Sequence, residues 1–159
     1  MGYNEVKKTL LIILFAMIPL FIYSCVESHD KVCKVLKKVR SKNTTDTFYV
    51  DFAKEMDFYW DTLYYFGGWP SLNEIDSTLG IHFPFWTDGN FLIFIRYDKK
   101  ENKKYCVYYE NYMKMADKPY KGPAFINDSS LHFKLDRNNA MFKVEKKDKI
   151  YLLMHVEKK

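Results

Sequence analysis

Cysteine is scarce. The chain has three, Cys25, Cys33 and Cys106, and no two stand at CxxC spacing, which excludes a four-cysteine zinc site and a dithiol redox motif. No two histidines among His29, His82, His132 and His155 stand at HxH or HExxH spacing, so no metal site is expected. GxSxG, P-loop and GxGxxG patterns are absent, which removes the common hydrolase, nucleotide and dinucleotide signatures. Serines are few and assemble no Ser/His/Asp order. Six glycines and five prolines are too few for a collagen-like or Pro/Gly-rich disordered chain. A net charge of +5 makes a weak case for nucleic acid, which is not expected as a partner. No internal repeat is present. No catalytic residue and no cofactor can be assigned on these grounds.

Aromatic residues are abundant, at 18% beside 48% hydrophobic residues overall, which predicts a compact aromatic-rich domain rather than a disordered or multi-pass membrane chain. The first 24 residues hold Lys7 and Lys8 before an uncharged apolar run, Leu10 to Tyr23, interrupted by Pro19. A spanning helix needs about 20 apolar residues, and proline breaks a helix, so the run reads as an export signal. It ends at Ser24-Cys25, and Phe21-Ile22-Tyr23-Ser24-Cys25 resembles a bacterial lipoprotein box. Ser24 and Cys25 fit that box, whereas Ile22 and Tyr23 depart from its usual leucine and small residue. The resemblance implies cleavage before Cys25, acylation of that cysteine, and a lipid bilayer as partner. Acyl chains anchor at about 0.8 kcal/mol per buried methylene, so two or three hold permanently. Val26 in place of aspartate implies, by Gram-negative sorting rules, the outer membrane. Its periplasmic and surface faces both remain open.

Three segments follow: a signal over 1–24, a lipid-anchored helix and linker over 25–46, and a globular domain over 47–159. Val32, Val35, Leu36 and Val39 have helical spacing, with Ser28 or Asp30 as cap and basic residues on the other faces. That basic face fits either plain solvation over a core-facing stripe or contact with anionic headgroups. Cys33 falls on this helix and Cys106 in a predicted strand. In an oxidising envelope one Cys33–Cys106 disulfide and two buried thiols are both compatible.

Strands are predicted from Phe48 to Phe52 with Phe48, Val50 and Phe52 on one face, from Phe58 to Phe66 with Phe58, Trp60, Thr62, Tyr64 and Phe66 on one face, from Phe91 to Tyr97, and from Tyr105 to Glu110. Three more are predicted at Leu131 to Leu135, Met141 to Glu145 and Ile150 to Val156. Ser71 and Glu74 form a reciprocal capping pattern for a helix ending at Gly80. Asn111 to Asp128 reads as a surface stretch. The expected architecture is an α+β domain on a mainly antiparallel sheet of about seven strands with two short helices.

Trp60, Asp61, Tyr64, Phe66, Gly67, Glu74, Ile75, Leu79 and Gly80 resemble a pattern of small bacterial envelope lipoproteins of unknown function, with a Trp-Asp-x-x-Tyr-x-Phe-Gly core. The resemblance covers 58–80, and Gly68-Trp69-Pro70-Ser71 replaces the pattern's Pro-Tyr-Thr. It implies a fold and an envelope address, not an activity.

Surplus Tyr and Trp suit binding, because they give large contact area at low entropy cost, although most must fill a core poor in Leu, Val and Ala. Trp69 and Trp86, flanked by Gly and Pro, are the aromatics expected at a contact surface. Asp61 is the carboxylate of interest, either as a site residue or as a turn brace. The expected function is a macromolecule-binding envelope lipoprotein, inhibitor or immunity-like, with a protein partner in the envelope. The alternatives are a glycan-binding accessory lipoprotein, and a hydrolase needing a carboxylate such as Asp61 beside a histidine.

Overall fold

A computed structural model describes residues 31–84, 89–112, 123–126, 132–148 and 150–157. Cys25 and Trp86 lie outside them. The element order is α1 (Lys31–Arg40), β1 (Thr47–Asp51), α2 (Phe52–Glu55), β2 (Thr62–Phe66), α3 (Leu72–Leu79), β3 (Asn90–Asp98), β4 (Lys103–Tyr112), β5 (Ala124–Ile126), β6 (His132–Asp136), a 3-10 turn (Arg137–Asn139), β7 (Met141–Lys147) and β8 (Ile150–His155).

The α+β class is as expected, but among the described residues eight strands divide between two sheets instead of forming one. The first runs β1-β7-β8-β5 and the second β4-β3-β2-β6. All pairings are antiparallel except β5 on β8. A main core joins Phe48, Val50, Phe142 and Leu153 of the first sheet to Leu63, Tyr65, Leu92 and Phe94 of the second, with Val32, Val35 and Leu36 of α1. A second core lies on the other face of the second sheet, where Tyr64, Phe66, Phe91 and Ile93 meet Ile75 and Leu79 of α3. Each fully buried aliphatic side chain of this kind contributes about 1.5–3 kcal/mol.

Both faces of the second sheet are therefore covered. This accounts for the continuous apolar runs Leu63–Phe66 and Phe91–Ile95, all buried, where a half-solvated strand would alternate.

The strand predicted from Phe58 starts at Thr62. Trp60 precedes it, fully buried in the main core, whereas Tyr64 and Phe66 belong to the second core. The expected common face for Trp60, Tyr64 and Phe66 does not exist. The chain also leaves β1 at Asp51, whose Oδ1 accepts from Ala53 N at 3.0 Å and caps α2, so Phe52 opens a helical turn instead of ending a strand.

α3 has its expected ends. Ser71 Oγ accepts from Glu74 N at 3.2 Å, and Gly80 is left-handed at φ 68°, a conformation glycine adopts without Cβ strain. Lys104 Nζ donates to Leu79 O at 2.9 Å, satisfying a terminal carbonyl from β4. Glu74's carboxylate pairs with His132 Nε2 at 3.0 Å, so the helix is capped by Ser71 while Glu74 ties it to β6.

Candidate functional site

The loop after β2 sets the most exposed tryptophan of the described residues. Gly68 and Trp69 have φ of 73° and 64° in succession. The left-handed conformation costs a residue with a Cβ about 1–2 kcal/mol. Gly68 N donates to Asn90 Oδ1 at 3.1 Å, pinning the loop to the start of β3, and Pro70 is buried. The turn holds Trp69 outward with 59% of its surface exposed.

Trp69 stands at an open cleft of about 420 Å³ lined by Tyr65, Trp69, Gly89, Asn90, Tyr112, Ala124 and Phe125. Its floor is ordered by ring contacts: Tyr65 lies 4.8 Å from Phe125 and 5.2 Å from Phe133, centroid to centroid. None of these described lining side chains is charged. Burial pushes the Tyr65 phenol pKa above its ordinary value, so it remains a hydroxyl. Neither that hydroxyl nor Asn90 Nδ2 has a hydrogen-bond partner among the described residues.

Asp61 lies at the opposite end of β2, so the structure does not bring it to Trp69. Its Oδ1 accepts from Tyr59 OH and its Oδ2 from Tyr97 N, both at 2.7 Å. Its backbone N donates to Ile95 O, and its carbonyl accepts from Arg137 N. The Arg137 guanidinium lies 4.7 Å over the Tyr59 ring and donates to Ala53 O at 3.0 Å. The hydrogen bond to Asp61 raises the Tyr59 phenol pKa. Asp61 thus braces the junction of β2, β3 and the 3-10 turn.

Among the described residues two carboxylate–histidine pairs occur elsewhere, both involving α3. Asp76 Oδ2 meets His82 Nδ1 at 2.9 Å, and Asp76 Oδ1 accepts from Phe83 N at 2.7 Å. These bonds, His82's first, hold the Asp76 pKa below the ordinary carboxylate range. The Glu74–His132 pair is the other. None of these four residues lines the cleft. Among the described residues no three His, Cys, Asp or Glu side chains converge as metal ligands.

The end of α1 is held by a side chain that local sequence patterns do not reveal. Glu110, fully buried in β4, accepts from Val32 N at 2.8 Å across 78 residues. It also accepts from Tyr108 OH at 2.6 Å and from Tyr112 OH, while Tyr108 OH accepts from Lys31 N at 3.1 Å. A carboxylate at the first amides of a helix suits its dipole. Ser28 and Asp30, the expected caps, lie outside the described residues. The one sequence signal is Tyr-x-Glu-x-Tyr over 108–112, a carboxylate on the buried face of a strand. Tyr112 connects this lock to the cleft, since it belongs to the lining and its hydroxyl donates to Glu110.

The basic residues of α1 are partly turned toward the body: Lys31 to Asp57 at 3.1 Å, Lys38 to Glu55 at 3.1 Å and Arg40 to Asp46 at 2.6 Å. Cys33 and Cys106 are both thiols, Cys33 buried and Cys106 half-buried. The β3–β4 ladder slips at Phe94/Ile95, so that Phe94 faces Tyr108 and Ile95 faces Cys106. Val107 is the extra residue of this bulge. Cys106 thereby packs in the second core, while α1 packs in the main core across the sheet.

Among the described residues no helix is long and apolar enough to cross a membrane. Compared with protein-family models, curated proteins and solved structures, the chain matches none.

Proposed function

We propose that the protein is a bacterial envelope lipoprotein, anchored through Cys25 in the outer membrane, whose α+β domain binds a macromolecule at the Trp69 cleft. The observation that carries this reading is the strained, pinned turn that holds a large aromatic in solvent at the mouth of a ready-formed cleft. Backbone strain clusters at ligand-contacting positions, and exposed tryptophan is the residue type most enriched at binding hot spots. The partner is a protein, as for an inhibitor or immunity-like domain, or a glycan. Asp61 is assigned a bracing role, since its carboxylate oxygens are engaged by Tyr59 and Tyr97.

The test is capture from envelope and secreted extracts by the full lipidated protein and by its Trp69→Gly variant, which suits the left-handed turn. A stoichiometric protein or glycan retained by the parent and lost from the variant supports the reading. Equal retention by both, or none by either, overturns it.

A further inference from the structure

We infer that the Trp69 end of the domain lies against the headgroup layer of the membrane that holds Cys25, an inference that rests on the lipid anchor. The chain enters the domain at a fixed point. Lys31 N donates to Tyr108 OH at 3.1 Å and Val32 N to Glu110 Oε1 at 2.8 Å, so the start of α1 is bonded to the later half of β4. Lys31 Nζ adds an ion pair with Asp57 at 3.1 Å and stands 5.3 Å and 5.6 Å from the centroids of the Phe58 and Tyr108 rings. Cys25 precedes Lys31 by six positions, a stretch that reaches about 22 Å at most when fully extended. With Cys25 acylated, that bonded point stays near the headgroups.

The two ends of the second sheet differ in their distance from this point. A strand rises about 3.4 Å per residue, which puts Tyr112 about 7 Å beyond Glu110 and Lys103 about 24 Å behind it. Asn90 pairs with Tyr112, Phe66 pairs with Phe91, and Gly68 N is bonded to Asn90 Oδ1, so the Trp69 turn stands at the Tyr112 end. The turn between β3 and β4 stands at the other end. So short a tether holds the Trp69 end toward the bilayer and the β3–β4 turn away from it. The side chain presented there suits that position, because an indole has an apolar body and one N–H and settles at membrane–water interfaces. The macromolecule bound at the cleft is then one met at the bilayer surface.

The experiment places the full acylated protein, labelled with 15N, in nanodiscs of phosphatidylethanolamine and phosphatidylglycerol, with and without a small share of lipid carrying a gadolinium chelate on its headgroup. The readout is the signal lost to the chelate at the Trp69 indole N–H, assigned with Trp69→Gly, and at the backbone amides of Lys99, Lys100 and Glu101 in the β3–β4 turn. The Trp69 signal should be attenuated severalfold more than those amides. Equal attenuation at both ends, or greater attenuation at the turn, overturns the inference. If either of those results comes with acyl mass on Cys25, the anchor stands and only the orientation is lost. Absence of acyl mass removes the anchor and the orientation together. Attenuation at Trp69 without any captured macromolecule supports the bilayer contact and removes only the partner of the cleft.

Discussion

Removing the Glu110 carboxylate should release α1 and take away a large part of the domain's stability. In Glu110→Ala, the Val32 amide and the hydroxyls of Tyr108 and Tyr112 lose their common acceptor in a fully buried position. Hydrogen bonds to a charged group contribute about 1.5–3 kcal/mol each. A buried donor left without its acceptor costs about 1–3 kcal/mol, which puts the loss of all three bonds at about 3–5 kcal/mol. The two hydroxyls can rotate toward other acceptors, which argues for the lower half of that range. Against a total stability of about 5–15 kcal/mol, the loss is severe. With a urea m-value of about 2 kcal/mol/M, the midpoint should fall by about 1.5–2 M. Glu110→Gln keeps one oxygen for Val32 N and should cost about 1–2 kcal/mol. Alkylation followed by mass spectrometry separates local from global opening, because Cys33 rides on α1 and Cys106 on β4. Below the urea transition, Cys33 of Glu110→Ala should label well before Cys106. An Ala variant within about 0.5 kcal/mol of the parent, with both thiols labelling together, would refute the assignment of Glu110 as the lock on α1.

Trp69→Gly relieves a left-handed tryptophan, a gain of about 1–2 kcal/mol, against about 0.5–1 kcal/mol of added unfolded-state freedom; its thermal midpoint should equal or exceed the parent's, and a drop would mean that Trp69 is a packing residue. Gly80→Ala should lower stability by about 1–2 kcal/mol in urea, through φ 68° and not by collision, since a Cβ there meets only the flexible end of Lys104 at 3.4 Å. Burial pushes the Cys106 thiol from 9.0 up to about 11, so at pH 8 its thiolate should be about a hundredfold rarer than in the unfolded chain and its alkylation correspondingly slow. The unfolded thiol ionises first, so this contribution to stability is intact below pH 9 and declines as pH rises from 9 to 11; Cys106→Ala should flatten that part of the pH–stability curve. Intact mass of the membrane-extracted protein should show loss of residues 1–24 with acyl mass on Cys25, and Cys25→Ser should leave the protein unacylated; a full-length unacylated parent would remove the anchor from the account.

Elements written in local sequence were legible. The β3–β4 hairpin, the last three strands and α3 with Ser71 and Gly80 at its ends follow from runs of β-forming residues, polar turns and capping chemistry, and they occur where those patterns place them. Trp69 was legible as an exposed aromatic because glycine and proline flank it. What escaped depends on contacts distant in sequence. A chain buried on both faces has no alternation to read, so the second sheet did not separate from the first, and Trp60 was assigned to the face of Tyr64 and Phe66. β5 is only Ala124–Ile126, and its parallel pairing with β8 leaves no turn signal. The bulge at Val107 decides which side of the sheet Cys106 faces, and no residue type announces it. Glu110 shows only as a carboxylate on a buried face, with its partner amide 78 residues away. Asp61 reads from the sequence as either a site residue or a turn brace, and its partners, Tyr59, the Tyr97 amide and the Arg137 amide, are those of a brace.

The central claim is that Trp69 is held out for a ligand while Trp60 is sealed in the core. The chain has three tryptophans, so a 15N–1H spectrum of the indole N–H groups, with Trp69→Gly and Trp60→Phe used for assignment, resolves them. On titration with the captured partner, the Trp69 signal should shift in step with binding while the Trp60 signal holds still. A ligand that binds while the Trp69 signal remains in place would contradict the account.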